Sequence, residues 1–341
     1  MLKVPRIGMG TGFSDEELKD PEKIVNAIRV GIDCGIRFID TAENYGGGVC
    51  EELVGRAVAE KRPHIMLASK FAPEHSSYDD VIASCEGSLR RMKTDYIDLY
   101  QTHWPNPSVP FEETLRALHL LQKQGKIRAI GMSNVSVNEL GDAISLQAEY
   151  NLFERTVEYD GTLEYCQKNN ITLIAYSPLD QGRTDQKVPS PLQLAWLISH
   201  DSVVAIPKSI NHKHIKENAE AMQIVLEPEE KARMDREFFQ KIAYIPTDDI
   251  SVSSQGERDR AVYQTLDEAI ENKFGYTHSP MELSKTFLSG GFAKPVRLVL
   301  AKNSQQYALI NGRIRYWAWV IAFQGKKPIP AYIRNDLKVG E

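Results

Sequence analysis

Eight short apolar runs recur between residues 6 and 209 of this 341-residue chain, most of them separated by longer amphipathic stretches. They cover residues 6–10, 38–41, 65–70, 96–104, 127–134, 145–151, 172–178 and 203–209. Strand-length apolar runs that alternate with helix-period segments predict βα repeats and a parallel sheet buried on both faces. Eight is the number of parallel strands that closes a β/α barrel. Helix punctuation agrees. Residues 20–35 carry Pro21 in the first turn and Gly35 as a stop, 111–125 end on Gly125, and 227–238 begin with Pro228 and read as a closing helix.

Composition excludes several classes. No apolar stretch approaches the ~20 residues of a membrane span, and residues 1–12 lack the basic and apolar regions of a signal peptide. Cys34, Cys50, Cys85 and Cys166 are irregularly spaced and form no CxxC pair, so no metal site is expected and a reduced, cytoplasmic setting is the simplest reading. Charge divides unevenly. Residues 241–341 hold 14 Lys+Arg against 10 Asp+Glu, while residues 1–240 hold 27 against 36. Two units are therefore expected, 1–240 and 241–341. A surplus of four positive charges is weak support for a nucleic-acid partner.

Three successive runs end on residues that carry chemistry. Phe38-Ile39 delivers Asp40 to a strand end, and Tyr45 follows five residues later, ahead of Gly46-Gly47-Gly48. Lys70 ends the next run and His103 the one after, with Trp104 beside it. Strand ends are where barrels of this kind place their chemistry. A tyrosine acts as a general acid near neutral pH only if its pKa is brought down from ~10 by a nearby cation, which a carboxylate then holds in place. Each residue also has a plain structural reading: a cap for Asp40, a turn aromatic for Tyr45, a surface lysine for Lys70 and a core histidine for His103. Their joint occurrence on successive strand ends favours the catalytic one.

The segments Phe38-Ile39-Asp40-Thr41-Ala42-Glu43-Asn44-Tyr45-Gly46, Gly125-Lys126-Ile127-Arg128-Ala129-Ile130-Gly131-Met132-Ser133-Asn134, Tyr176-Ser177-Pro178-Leu179 and Ile206-Pro207-Lys208-Ser209 together resemble the aldo-keto reductases, from about residue 6 to 238. The resemblance implies a TIM barrel, a nicotinamide cofactor and carbonyl–alcohol interconversion. It implies Tyr45 as proton donor, Lys70 and Asp40 as the pair that tunes it, and His103 as the group that orients the substrate oxygen, with Trp104 at the substrate. It also implies cofactor contacts at Gly10, Thr11 and Asp40, at Ser133, Asn134 and Gln147 on the nicotinamide amide, and at Tyr176 on its ring. Ser177, Pro178 and Leu179 would line the diphosphate, Ile206, Pro207, Lys208 and Ser209 the phosphate end, and His214, Glu217 and Asn218 the adenosine.

The chain departs from that pattern in three places. His214 stands where many NADP-dependent members have an arginine, so NADP(H) is favoured through Lys208 and Ser209 while NAD(H) stays open. The loop after Leu179 is short. The long carboxy-terminal loop that often walls the substrate pocket gives way to a different unit.

That second unit, from about residue 243 to 334, resembles the ParB/sulfiredoxin-like fold through Lys294-Pro295-Val296-Arg297-Leu298-Val299, Tyr307–Ala318 and Ile329-Pro330-Ala331-Tyr332-Ile333. Helices are expected at 263–272, 280–289 and 314–323, strands at 295–300, 307–310 and 329–334, a turn at 302–304 and a polar linker or domain entry at 239–260. Gly312 and Arg313, with Arg315 close behind, read either as a phosphate site at a helix start or as an ordinary turn. The unit lacks the sulfiredoxin cysteine, so the resemblance leaves nucleotide or phosphate-ligand binding, nucleotide hydrolysis or kinase activity, or a structural role. Glu257, with Asp259 nearby, is the acid/base candidate for a kinase, against the stronger reading of both as solvated linker charges. Trp317 and Trp319 read as core. The competing whole-chain reading is a redox sensor, whose barrel reads cofactor state for a partner of the second unit.

Overall fold

The computed structural model describes residues 4–182, 188–238, 242–252, 263–276, 279–289, 294–300 and 306–334. The chain divides into two compact units, Met1–Phe238 and Phe239–Glu341.

The first unit is a barrel of eight parallel strands in sequence order. They are β1 (Met9–Gly10), β2 (Phe38–Asp40), β3 (Met66–Phe71), β4 (Ile97–Thr102), β5 (Ile127–Ser133), β6 (Ser145–Glu149), β7 (Thr172–Tyr176) and β8 (Val203–Ala205). The sheet closes on itself beside β1. Ile7 pairs with Ala205 in parallel, the Gly8 N–H donates to the Ala205 carbonyl at 2.8 Å, and the Ala205 N–H donates to the Arg6 carbonyl at 3.0 Å. All eight expected strands are present; β3 is as long as its apolar run but shifted by one residue, and the others are one to four residues shorter than theirs. The helix Pro21–Asp33 is capped by Asp20, whose side chain accepts from the Lys23 N–H.

Side chains alternate between two apolar layers, as a period of two requires. Phe38, Met66, Ala68, Leu99, Ala129, Ile174 and Val204 fill the lumen. Ile39, Leu67, Tyr100, Ile130, Leu146, Leu173 and Val203 face the ring of helices. Two residues beyond a lumen residue lies another lumen residue. Phe38 is thus followed by Asp40, Ala68 by Lys70, Leu99 by Gln101 and Ile174 by Tyr176. The polar ends of the strands converge on one mouth above an apolar plug.

The second unit contains a five-stranded mixed sheet among its described residues. Its strands are β9 (Ala243–Ile245), β10 (Ile250–Val252), β11 (Val296–Leu300), β12 (Tyr307–Asn311) and β13 (Ile329–Arg334), in the order β10-β12-β11-β13-β9. Pairing is parallel for β10/β12 and β11/β13, and antiparallel for β11/β12 and β13/β9. Residues 239–260, read as a linker or the entry to a domain, are the entry where they are described, because β9 and β10 lie within them. Three residues are too few to display an alternation, and their stability comes from the sheet rather than from propensity. The helix expected over 263–272 covers only Leu266–Ile270, with Thr265 accepting from the Glu268 N–H as its cap. Trp317 and Trp319 are core, at 8% and 6% exposure, and their indole N–H groups donate to the Tyr263 and Lys327 carbonyls. Glu257, Asp259 and the turn at 302–304 lie outside the described residues.

Candidate active site

Asp40 is the hub of the barrel mouth. One carboxylate oxygen accepts from Lys70 Nζ at 2.6 Å, and the other accepts from Gln147 Nε2 at 2.9 Å and Gln101 Nε2 at 3.2 Å. Lys70 Nζ also donates to the Thr41 carbonyl at 2.9 Å. The ion pair is sealed, with side-chain exposures of 0% and 2%. Such a pair persists only when further hydrogen bonds compensate the lost water, and the two glutamines and the carbonyl supply them. Burial alone would lower the Lys70 pKa. The charge of Asp40, then that of Tyr45, and hydrogen bonds to both outweigh it and raise the pKa, so Lys70 is a cation throughout the neutral range.

Tyr45 stands over this pair, with Lys70 Nζ 5.1 Å from its ring centroid. The turn that carries it, Tyr45–Gly48, needs glycine. Gly46 and Gly48 sit at φ 56° and 98°, and a Cβ on them would approach Leu18 at 2.6 Å and Arg91 at 2.8 Å. Beyond the turn, buried Glu51 accepts from Ser69 Oγ and from Arg91 Nε at 2.6 Å. It thereby ties the helix Val49–Val58 to β3, on which Lys70 follows Ser69.

His103 meets the Tyr45 ring edge-on, with centroids 5.4 Å apart at 78°. Burial, reinforced by the positive charge of Lys70, pulls its pKa down to about 3, so its imidazole is neutral. Its Nδ1 is buried without a hydrogen-bond partner. Trp104, next in sequence, is 44% exposed. Tyr45, Lys70, Asp40 and His103 are thus brought together as one cluster.

A second row of polar groups lies along the ends of β5 to β7. Asn134, at φ 58°, donates to the His103 carbonyl and to Ser133 Oγ, both at 3.0 Å, and its Oδ1 accepts from the Tyr176 hydroxyl at 3.0 Å. Ser133 Oγ donates to the Gln147 carbonyl at 3.1 Å. Ser177 also has a positive φ, 48°, and its carbonyl accepts from Asn151 Nδ2. Strained non-glycine residues of this kind cluster at functional sites. Pro178 is buried and Leu179 half-buried beside them. Gln147, expected at the nicotinamide amide, lies in the same row and donates from Nε2 to Asp40. Gly10 and Thr11 lie under the mouth, where Thr11 Oγ1 donates to the Asp40 carbonyl at 3.0 Å.

Ile206 and Pro207 are buried past β8, and Lys208 emerges to solvent. Both Glu17 oxygens accept from Lys208 Nζ, at 2.7 and 2.8 Å. Ser209 Oγ accepts from the Asn211 N–H, and Asn211 caps the helix His212–Glu220. On that helix His214 is exposed, Glu217 pairs with Lys213 at 3.7 Å, and Asn218 is buried.

Sequence reasoning missed Gln101, Glu51, Arg91 and Glu17. Gln101 could have been found, because a polar residue two places after lumen-facing Leu99 in an apolar run must find a partner inside. Nothing local marks Glu17, which meets Lys208 across 191 positions.

In the second unit Gly312, at φ 94°, opens the helix Arg313–Phe323. Arg313 is 7% exposed and reaches the Ile310 carbonyl at 3.4 Å. Arg315 serves the framework rather than an open phosphate site. Its Nη1 donates to the Lys294 and Pro295 carbonyls at 3.0 and 2.9 Å, and its Nη2 to Asn311 Oδ1 at 3.0 Å. Among the described residues no cluster of His, Cys, Asp and Glu could hold a metal ion, and no helix is long and apolar enough to cross a membrane.

Residues 6–193 match the model of the Aldo/keto reductase family. Methylglyoxal reductase YeaE of Escherichia coli is 36% identical over 263 residues, which span 70% of this chain and 92% of that protein. Glyoxal reductase of Bacillus subtilis is 33% identical over 69% of this chain and 89% of its own length. Among solved structures, an aldo/keto reductase from Klebsiella pneumoniae in complex with NADP and acetate is 38% identical. It superposes with a TM-score of 0.65 over 69% of this chain and 92% of its own. A thermostable aldo-keto reductase in complex with epalrestat is 39% identical, with a TM-score of 0.64 over 68% and 95%.

Proposed function

The chain belongs to the aldo/keto reductase family, and on that premise we propose that it reduces short aldehydes and ketones to alcohols, small dicarbonyls of the methylglyoxal and glyoxal type included. NADP(H) is the favoured cofactor, with NAD(H) as the second choice. The observation that carries this reading is the sealed Lys70–Asp40 pair with the Tyr45 ring above it and neutral His103 against that ring.

The residues at the mouth suit a dinucleotide phosphate. Lys208, the Ser209 hydroxyl and the start of the nine-residue helix His212–Glu220 form an anion-binding donor set. Ser133, Asn134 and Gln147 offer amide-pairing groups beside the polar cluster, and Tyr176 through Leu179 would flank the ring and diphosphate. When bound, the cofactor supplies the hydride. Tyr45 gives its proton to the carbonyl oxygen, and the Lys70 cation stabilises the phenolate left behind. Asp40 keeps Lys70 in place, and Gln101 and Gln147 keep Asp40 in place. His103, being neutral, donates one N–H to the substrate oxygen without adding charge. Trp104 provides an apolar wall for a small substrate.

Steady-state oxidation of NADPH by methylglyoxal, glyoxal and short aldehydes tests the proposal. Tyr45→Phe is expected to lose at least ~10²-fold in turnover while binding NADPH as before. Undiminished turnover in that variant ends the assignment of Tyr45. NADPH binding without turnover of any short carbonyl by the native chain would favour the redox-sensing alternative.

For the second unit we propose a ParB/sulfiredoxin-like module that takes a nucleotide at the Gly312 turn, with Arg313 toward the phosphate. The left-handed turn into an eleven-residue helix supports it. Calorimetry of the full chain saturated with NADPH, titrated with ATP, CTP and GTP, tests it. Absence of heat at millimolar nucleotide, or heat unchanged in Arg313→Ala, removes the proposal.

A further inference from the structure

Lys208 is held by a carboxylate with a fixed seat of its own. Glu17 lies in the short helix Asp15–Leu18, whose start is locked by a capping box. The Ser14 N–H donates to Glu17 Oε2 at 2.8 Å, and Ser14 Oγ accepts from the Glu17 N–H at 3.3 Å. The next residue, Leu18, lies against Gly46 of the Tyr45 turn. Burial works to raise the Glu17 pKa, but the hydrogen bond and charge of Lys208 and the Ser14 donors outweigh it and hold the carboxyl below its ordinary value. Glu17 is 18% exposed on its side chain and Lys208 37%, so the pair is neither sealed nor fully washed by solvent.

An ammonium engaged by both oxygens of one carboxylate is a poor receptor for a dianionic phosphate. The phosphate must either break the pair or accept a negative charge as its close neighbour, and both disfavour it. A ribose carrying a free 2′-hydroxyl meets no such opposition. A carboxylate is, moreover, the group that dinucleotide sites use to accept a hydrogen bond from that hydroxyl. Resting on the assignment of Lys208 to the cofactor's 2′-phosphate, we propose that Glu17 is a selectivity residue. It occupies Lys208, weakens NADP(H) relative to NAD(H), and so narrows the discrimination that Lys208 would otherwise impose.

Dissociation constants for NADPH and NADH, from quenching of protein fluorescence, test this in the full chain and in Glu17→Gln, Glu16→Gln and Lys208→Ala. Glutamine preserves the capping box, so Glu17→Gln removes the charge without unseating the helix. That variant is expected to bind NADPH about 5-fold more tightly, as removal of one partly exposed opposing charge implies, with NADH unchanged or weaker. The gain should shrink at high salt. Glu16→Gln makes the same change in net charge at an exposed neighbour whose carboxylate faces Lys19, and should leave the ratio alone. An unchanged preference for NADPH over NADH in Glu17→Gln, while Lys208→Ala reduces that preference, overturns the role of Glu17 and leaves Lys208 in place. Equal loss of both cofactors in Lys208→Ala overturns the phosphate assignment and the proposal with it.

Discussion

Asp40→Asn tests the architecture of the barrel mouth, because it removes one charge and keeps the shape. With an effective dielectric of about 20, attraction across 2.6 Å comes to about 6 kcal/mol. Desolvation of the two ions offsets part of that, and orphaning one member of such a pair typically costs about 3–5 kcal/mol. The variant should lose that much unfolding free energy near neutral pH. The pH dependence is the sharper test. In the native chain the Lys70 pKa is raised, so its contribution is complete below the unfolded value of about 10.4 and is lost only as pH rises through the folded pKa. In the variant burial prevails and the Lys70 pKa falls below its unfolded value. The folded state then binds fewer protons than the unfolded one, and the variant's stability climbs with pH. The gap between native and variant should therefore narrow from about pH 6 to about pH 9.5, as read by urea unfolding at several pH values. Turnover should fall with it, because a neutral Lys70 no longer favours the phenolate of Tyr45. A loss below about 1 kcal/mol, or a gap that does not change with pH, would refute the reasoning.

Three further outcomes follow from the same geometry. Arg91→Ala strands the buried Glu51 carboxylate and should cost about 3 kcal/mol, with much of it recovered in the double variant with Glu51→Gln; thermal unfolding measures both. Gly48→Ala forces a side chain onto a φ of 98° and should cost about 1–2 kcal/mol. Turnover should drop as Tyr45 shifts, while the NADPH dissociation constant stays put. His103, neutral with a pKa of about 3, makes the folded state bind fewer protons than the unfolded state over the pH range between that value and its ordinary 6.5. Its presence thus lowers stability as pH falls, and His103→Gln should flatten the decline in unfolding midpoint between about pH 7 and about pH 4.5.

The barrel was legible because eight buried strands need eight apolar runs, and runs of this length have no other use when helix-period segments separate them. Asp40, Lys70 and His103 were legible because they stand at the ends of those runs, where a charge or a polar ring inside a barrel requires a reason, and Tyr45 because it follows Asp40 at the same strand-to-helix corner. What the sequence hid falls into two kinds. The strands Ala243–Ile245 and Ile250–Val252 are too short to carry a period and exist only through their partners. Glu17 and Lys208 meet because the barrel closes between its first and last strands, a relation that no local pattern records. The inward turn of Gln147 toward Asp40 is of this second kind, since β6 and β2 lie on opposite sides of the lumen.

Because lumen and helix layer alternate strictly, the barrel counts residues in twos. Deleting Ile39 between Phe38 and Asp40, or Ser69 between Ala68 and Lys70, would carry the charged group to the outer face beside Leu67. Sliding the strand by one residue along its ladder would return the group to the lumen only by turning Phe38 or Ala68 outward. Length variation in this protein must therefore be quantised inside the strands and continuous outside them. Insertions of any size belong to the loops at the strand ends, where they alter what reaches the mouth and leave the parity of the polar cluster intact.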